Sequence, residues 1–297
     1  MKNQQGTPAG PQEEIYLLKR DKVESERLNE QHKFLVTICG GSPIHESIPK
    51  DRLFSIADVA TGTGIWLNHV SDLLKNNHPT DRPRYYHGFD ISDAQFPIPA
   101  ERGSIEYSVH DCLKPFPAEH HNRYDLVHVR LLVAAIREQD YKVIVANLVP
   151  LLKPGGYLQW DDLDLISFFP PKEVPQNTSY FETMRLVANA QISLGVSPHV
   201  PDTVYQAAKT AGLVDVTKHD WRTADHPELA TTTQNWVFKV FTTMIPSALR
   251  KAKLVTDEEK VQQEAQRHLE NVKRAFFVEG VVPNGVMGQV VARKAQE

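Results

Sequence analysis

The segment Asp58-Val59-Ala60-Thr61-Gly62-Thr63-Gly64 is the strongest indication of the fold in this sequence. The apolar segment that leads into it, residues 54–59, predicts a β-strand, and the spacing of apolar residues over 65–77 predicts a helix. Two glycines in such a turn let backbone N–H groups approach a ligand, and the helix N-terminus adds a partial positive charge. The turn therefore suits a phosphate or a carboxylate group.

The sequence of this turn matches neither of two common nucleotide-binding motifs well. A pyrophosphate-binding fingerprint needs Gly or Ala at position 67, where this chain has Leu67. A Walker loop needs a Gly-Lys-Ser/Thr ending, which the turn lacks. The dinucleotide and nucleoside-triphosphate interpretations are therefore disfavoured.

Short apolar segments alternate with helical patterns from residue 54 to residue 165. Strands are predicted over 54–59, 85–90, 105–110, 124–129 and 157–160, and helices over 65–77 and 137–152. Strand–helix alternation with short connections predicts an α/β fold, in which a largely parallel sheet is covered by helices on both faces.

Acidic side chains stand at the ends of the second and third predicted strands. Asp90 lies where an acid can bind both hydroxyls of a ribose, and Asp111 can accept a hydrogen bond from the amine of an adenine. Taken alone, an aspartate after a strand is more commonly a helix cap or a solvated loop residue, and this alternative applies to each acid. In an open parallel sheet, however, both acids and the glycine turn face one crevice. A ligand with a carboxylate, a ribose and an adenine but no phosphate is S-adenosylmethionine.

These motifs resemble those of class I S-adenosylmethionine-dependent methyltransferases over about residues 54–165. Asp58 to Trp66 is similar to the glycine-rich first motif, although Ala60 stands where the family usually has Gly. Residues 88–92 are similar to the ribose-binding motif, and residues 110–112 to the adenine-contacting one. The resemblance implies a Rossmann-like sheet and S-adenosyl-L-methionine as cofactor. The predicted cofactor-binding residues are Asp58, Ala60, Thr61, Gly62, Gly64, Asp90, Ile91, Asp111, Cys112 and Arg130.

The N-terminal segment carries a narrower resemblance. Residues 1–12 predict a flexible tail, and residues 13–50 a helical cover with a helix over 13–38. Residues 16–32 are similar to those of fungal natural-product methyltransferases and their regulator relatives. The resemblance implies a substrate contact for Tyr16, although simple packing of this helix on the sheet is the alternative.

The remainder, residues 51–297, is predicted to be the methyltransferase domain itself. Residues 222–285 predict a helical insertion before a last strand over 286–293, placed as a lid over one end of the sheet. Trp236 in this insertion is a candidate for the substrate pocket, with core packing as the alternative.

Candidate catalytic residues follow the fourth and fifth predicted strands. Methyl transfer chiefly requires in-line alignment of the acceptor, and a base is needed only when the acceptor arrives protonated. Asp162 is expected to face the substrate as base or anchor, with Trp160 as a neighbouring substrate contact. His128 is a second catalytic candidate, although a histidine on an apolar strand is more often a core residue. Arg130 could bind the methionine carboxylate or a substrate oxyanion, or pair with a local acid.

Composition narrows the possible partners and location. The 297 residues include 33 Lys plus Arg against 37 Asp plus Glu, which gives no global electrostatic reason to bind nucleic acid. Two cysteines cannot form a disulfide framework, and no stretch of about 18 apolar residues could span a membrane. We expect a cytoplasmic protein that acts on a small molecule, with a homodimer as an option. No second ligand pair accompanies His120-His121, so no metal is expected.

Together these features predict a methyltransferase that acts on O, N or S of a small natural product in fungal secondary metabolism. Two alternatives stay open. One is a regulatory protein that keeps the fold and acts through partners. The other is an enzyme that catalyses a cyclisation by using the sulfonium charge electrostatically.

Overall fold

Seven strands form one mixed sheet in a computed structural model that describes residues 22–168, 178–251 and 257–296. The strands are β1 Ser55–Val59, β2 Tyr85–Asp90, β3 Ile105–Val109, β4 Tyr124–Arg130, β5 Leu152–Asp164, β6 Val214–Arg222 and β7 Val286–Arg293. The α-helices are α1 Lys22–Ile38, α2 Ile65–Asn77, α3 Tyr141–Leu148, α4 Thr178–Ser193, α5 Val200–Thr210, α6 Ala230–Lys251 and α7 Glu258–Phe277. The predicted tail over 1–12 and the predicted contact Tyr16 lie outside the described residues.

The strand order is β3-β2-β1-β4-β5-β7-β6. Neighbouring strands among β1 to β5 are parallel, whereas β7 runs antiparallel to β5 and to β6. The chain builds outward from β1 to β3 and then returns to place β4 beside β1, which opens a crevice at the carboxyl ends of these two strands. This arrangement confirms the predicted Rossmann-like sheet.

Alternate residues of the central strands supply hydrophobic clusters on opposite faces of the sheet. Ala57 and Val59 of β1 pack in a cluster with residues of α3 and α5. Ile56, between them, packs in a second cluster with Trp66 and Val70 of α2. Because successive side chains of a strand point to opposite faces, helices cover both sides of the sheet.

A third hydrophobic cluster joins helices that are far apart in the sequence. It contains Phe34 of α1, Met184 of α4, Phe241 of α6 and Val272 of α7. The segment predicted to be a helical insertion, residues 222–285, therefore holds α6 and α7 and packs on the N-terminal helix. None of the helices in the described ranges is both long and apolar enough to cross a bilayer.

Among the described residues, two predicted elements have bounds that differ from those of the structure by more than one residue. β5 extends to Asp164 rather than ending at Trp160, because β7 pairs with it continuously from Tyr157 to Asp164. The helix predicted over 137–152 is α-helical only over α3, since Pro150 lies in the 3-10 turn that follows and cannot donate a helical hydrogen bond.

Candidate active site

A cavity of about 460 Å³ opens at the carboxyl ends of β1 to β4. Asp58, Asp90 and Asp111, the acids singled out at three strand ends, all line it. The structure thus brings the predicted motifs together around one space. Of the ten predicted cofactor residues, only Gly64 is absent from the cavity walls.

The glycine turn is shaped by backbone conformations that favour small residues. Gly64 has φ 72°, and a Cβ built there would lie 2.1 Å from the Tyr107 hydroxyl oxygen, so a side chain cannot be accommodated without displacing Tyr107. Gly62 has φ 53°, and its N–H donates to Asp90 Oδ2 at 2.9 Å. Ala60 also adopts a left-handed conformation, with φ 60°. The resembling family usually has Gly at this position, which agrees with the observed backbone.

The residues after β2 and β3 offer polar and apolar groups side by side. Asp90 is half-buried, and Asp111 accepts the Leu113 N–H at 3.0 Å through Oδ1. Ile91 is 59 % exposed although it lines the cavity, so it presents an apolar surface on which a planar ring can lie. Burial raises the pKa of the Cys112 thiol to about 12, which makes this residue a packing group rather than a nucleophile.

Gln95 is a cavity residue that the sequence analysis missed. It lies in the loop after β2, and its amide nitrogen is buried without a hydrogen-bond partner among the described residues. A single glutamine in a loop carries no pattern that could have revealed this role. An unpartnered buried amide in the same wall as Asp90 fits a polar ligand such as an adenosyl group. On this ground the residues present fit S-adenosylmethionine.

His128 lies at the centre of a buried charge network at the base of the cavity. Its Nδ1–H donates to Asp58 Oδ1 at 2.7 Å, and its Nε2–H donates to Asp161 Oδ2 at 3.2 Å. Trp66 stacks on its ring at 3.8 Å with an interplanar angle of 1°. Burial disfavours a charged imidazole here, but the two flanking carboxylates outweigh burial and raise the pKa of His128.

This geometry corrects the expectation that His128 is a catalytic base. The side chain is fully buried, and both ring nitrogens already bind a carboxylate. An imidazolium held in this way has no nitrogen lone pair with which to accept a proton. His128 instead fixes Asp58, whose other oxygen accepts a hydrogen bond from the Thr61 hydroxyl at 2.7 Å. Its role is to hold the glycine turn on β1.

The structure also corrects the expectation that Asp162 and Trp160 face the substrate. Both are fully buried on the α3 face of β5, and neither lines the first or the second cavity. Asp162 accepts hydrogen bonds from the Trp160 indole and from the N–H groups of Leu132, Val133 and Leu163, at 2.9–3.3 Å. Burial raises the pKa of Asp162 to about 7, although these donors act in the opposite direction. The carboxylate therefore anchors the loop after β4.

Arg130 is a cavity residue that α1 helps to hold. Its Nη2 donates to His32 Nδ1 at 3.2 Å, so the second nitrogen of His32 carries the proton and donates to His69 Nδ1 at 2.9 Å. Burial lowers the pKa of Arg130, while the Asp161 and Asp58 carboxylates act against this effect. The guanidinium has further N–H groups for a carboxylate in the cavity.

A second cavity of about 130 Å³ adjoins the first. It is predominantly apolar and is lined by residues of α1, α4 and α6 together with the loop after β4. Trp236 lines it, as the sequence analysis proposed for a substrate contact. Leu28, Gln31 and Leu131 line both cavities, so the two spaces meet at these side chains.

Comparisons with known proteins reveal fungal relatives. A methyltransferase, grgD of a Penicillium species, is 45 % identical over 156 residues, which is 52 % of this chain and 54 % of that protein. An N-methyltransferase, gliN of Aspergillus fumigatus, is 29 % identical over 204 residues, 68 % of each chain. The resemblance to class I S-adenosylmethionine-dependent methyltransferases is confirmed. The predicted resemblance to fungal methyltransferases is confirmed as well, because both of these relatives are fungal proteins.

The similarity to known proteins is limited in extent. No protein-family profile matches the chain. A solved structure of phosphoethanolamine N-methyltransferase 2 from Haemonchus contortus, in complex with S-adenosyl-L-methionine, has a TM-score of 0.47 and 14 % identity. The match covers 82 % of this chain and 49 % of the Haemonchus chain. Because this chain spans about half the length of the Penicillium protein, the activity of the whole protein is a proposal.

Proposed function

We propose that the chain is an S-adenosylmethionine-dependent methyltransferase that acts on a nitrogen of a small natural product in fungal secondary metabolism. The observation that carries this proposal is the convergence of Asp58, Asp90 and Asp111 with the glycine turn on one cavity. Relatives named methyltransferase and N-methyltransferase support the reaction class.

Each part of the cofactor has a counterpart in the cavity. Asp90 would hold the ribose hydroxyls, Asp111 the adenine amine, and Arg130 together with the glycine turn the methionine end. When bound, S-adenosylmethionine supplies an electrophilic methyl group on a positively charged sulfur. The chain itself has to orient the acceptor and exclude water, because alignment is the main requirement of such a transfer.

The second cavity supports nitrogen as the acceptor atom. Among the described residues that line it there is no Asp, Glu, His, Lys or Tyr to act as a base. An alcohol or phenol oxygen would have to lose a proton before attack, whereas an uncharged amine nitrogen has a free lone pair. A wall without a base therefore suits a nitrogen nucleophile better than an oxygen one.

The same cavity supports the proposed domain organisation. Leu28 and Gln31 of α1 and Trp236 and Phe241 of α6 all line it. The N-terminal helix and the insertion therefore act as the cover and lid of a substrate space beside the cofactor cavity. The free cysteines Cys39 and Cys112 support a reducing, cytoplasmic location, and a homodimer remains a prediction.

The proposal is tested with S-adenosylmethionine that carries a ¹³C-labelled methyl group and a panel of small neutral amines. The proposal predicts a product heavier by one labelled methyl group in mass spectrometry, and less of this product with Asp90→Ala at a limiting concentration of S-adenosylmethionine. A product of unchanged mass would instead support the cyclase alternative. Stable capture of another protein without any turnover would support the regulatory alternative.

A further inference from the structure

Two polar side chains line the second cavity without a protein hydrogen-bond partner among the described residues, and for one of them, Trp236, the unpartnered atom is itself buried. Trp236 is 8 % exposed, and its indole N–H has no hydrogen-bond acceptor among the described residues. Gln191 of α4 is 2 % exposed, and its side-chain amide makes no hydrogen bond within the described part of the chain. A buried polar group that lacks a partner is costly, so native structures rarely leave one unexplained. A ligand with hydrogen-bonding atoms would satisfy both groups.

The charges around this cavity are already neutralised. Arg27 is the one ionisable residue among the described side chains that line it. Its Nε and Nη2 donate to the buried Glu24 at 2.7 and 2.5 Å, and its Nη1 donates to Gln31 Oε1 at 2.9 Å. A carboxylate ligand would find no unpaired cation here, and an ammonium would find no acid. The cavity therefore disfavours charged ligands of either sign.

Gln31 places a further donor where the two cavities meet. Because its Oε1 accepts from Arg27, the orientation of the amide is set. Its amide N–H groups have no acceptor among the described residues, and the side chain lines both spaces. A ligand oxygen bound to Gln31 would stand beside the cofactor cavity. Gln31 is therefore a positioning residue rather than a catalytic one.

We infer that the second cavity selects an uncharged, largely apolar substrate that carries a carbonyl oxygen, and that this oxygen accepts hydrogen bonds donated from among Trp236, Gln191 and Gln31. The inference rests on the proposed function, because it names the substrate class of the same enzyme. The volume of the second cavity limits the size of the group that it can bind, since a cavity of about 150 Å³ is known to hold one benzene ring. At about 130 Å³ this cavity receives one ring or a similar apolar group.

Three probes of one shape test the inference: 2-phenylacetamide, phenylacetate and isobutylbenzene. They present an amide, a carboxylate and a hydrocarbon on the same benzyl group. Each is titrated into the full chain, saturated with S-adenosylhomocysteine, while the ¹⁵N indole signals of its four tryptophans are followed by NMR. Trp236→Phe identifies the signal of interest. We expect the amide to shift this signal and to bind at least tenfold more tightly than the carboxylate.

Two substitutions remove the donors while retaining apolar bulk, and one provides a matched control. Trp236→Phe and Gln191→Met should each weaken binding of 2-phenylacetamide about 3- to 10-fold, as expected for one lost hydrogen bond. These affinities are compared by isothermal titration calorimetry, because Trp236→Phe removes the NMR signal itself. Isobutylbenzene, which has no acceptor, should be little affected. Trp221→Phe removes an indole that donates to Gln289 and lines neither large cavity, so it should leave all affinities unchanged.

The inference is overturned if phenylacetate binds as tightly as the amide, or if Trp236→Phe and Gln191→Met both leave amide affinity unchanged. It is also overturned if none of the probes binds up to its solubility limit. S-adenosylhomocysteine binding is measured separately by calorimetry. If the cofactor product binds but the preference for the amide is absent, the substrate class is wrong and the proposed function stands. If the cofactor product does not bind, the proposed function fails, and titration of the unliganded chain still tests the cavity.

Discussion

Asp90 serves the glycine turn as well as the cavity, because its Oδ2 accepts the Gly62 N–H while the side chain lines the space above. Replacing Asp90 by Ala should weaken binding of S-adenosylhomocysteine tenfold or more, which corresponds to about 1–3 kcal/mol for a lost acceptor. Isothermal titration calorimetry measures this change. Asp93→Ala, at an exposed position nearby that does not line the cavity, is the control and should bind normally. Equal affinities for Asp90→Ala and the wild type would contradict the ribose assignment.

Ala60 carries a backbone conformation that suits glycine better. A residue other than Gly in the left-handed region costs about 1–3 kcal/mol, while Gly adds about 0.4–1 kcal/mol of unfolded-state entropy. Ala60→Gly should therefore raise the free energy of unfolding by up to about 2.5 kcal/mol, measured by urea denaturation. Ala100→Gly, at an exposed position with ordinary φ, should lower it instead. A loss of stability in Ala60→Gly as large as in Ala100→Gly would show that the turn is not strained.

Asp162 stabilises the fold by accepting hydrogen bonds in the protein interior, so its replacement should lower the free energy of unfolding. Asp162→Asn leaves one oxygen to serve the N–H donors around it and turns an NH₂ group toward the others. We expect a loss of about 2–4 kcal/mol in the free energy of unfolding, measured by chemical denaturation. Asp93→Asn should be neutral at its exposed site. Unchanged stability in Asp162→Asn would disprove the anchoring role.

The positions of Asp162 and Trp160 could not be predicted because β5 is longer than its apolar core indicates. Residues after Trp160 are polar, which favours a loop after a short strand. In the structure they still belong to β5, which is paired on both sides, by β4 and β7. A strand covered on both faces buries its polar residues too, so alternation does not reveal which side meets the cavity.

The bounds of a strand or helix could be predicted wherever the residues of that element and of its flanking turns show a clear apolar pattern. The predicted bounds of β2, α2 and β7 agree with the structure. Each is an apolar run or helical spacing delimited by turn residues, so its ends follow from nearby sequence. The ends of β5 and α3 depend on a distant strand and on a proline turn, which local apolar spacing does not contain.

The N-terminal helix α1 should dock on the sheet in a pH-dependent way. Burial first, and then the Arg130 charge, lower the pKa of His32 to about 3. Below the ordinary pKa of about 6.5, the unfolded chain binds a proton that the folded protein excludes. Stability should therefore fall as pH decreases from 6.5 toward 3, by at most about 1.4 kcal/mol per pH unit from this group.

His32→Gln tests this dependence because glutamine keeps an acceptor for Arg130 and a donor for His69. Denaturation in urea at pH 7 and pH 5 should show a smaller difference in unfolding free energy for the variant than for the wild type. His87, whose pKa burial lowers to about 4, titrates in both proteins and cancels in the comparison. An identical pH dependence would mean that His32 is not the titrating group.

At the scale of the whole molecule, the sequence predicts the lining residues of the first cavity much better than those of the second. The first cavity, proposed to bind the cofactor, follows from the ends of successive strands, where glycines and acids stand in recognisable order. The second cavity, proposed to bind the substrate, is assembled from α1, α4 and α6, and its residues are mostly apolar. Apolar residues at helical spacing also predict a core, so neither Gln31 nor Gln191 could be assigned to a pocket before the helices were placed.

All the functional assignments above require that the first cavity binds an adenosyl amino acid. A calorimetric titration measures this binding directly. The wild-type chain is titrated with S-adenosylhomocysteine and, separately, with NAD. We predict saturable binding of S-adenosylhomocysteine with one site per chain, and no comparable binding of NAD, which carries a pyrophosphate. Tighter binding of NAD, or no binding of S-adenosylhomocysteine to the folded chain, would contradict the central claim.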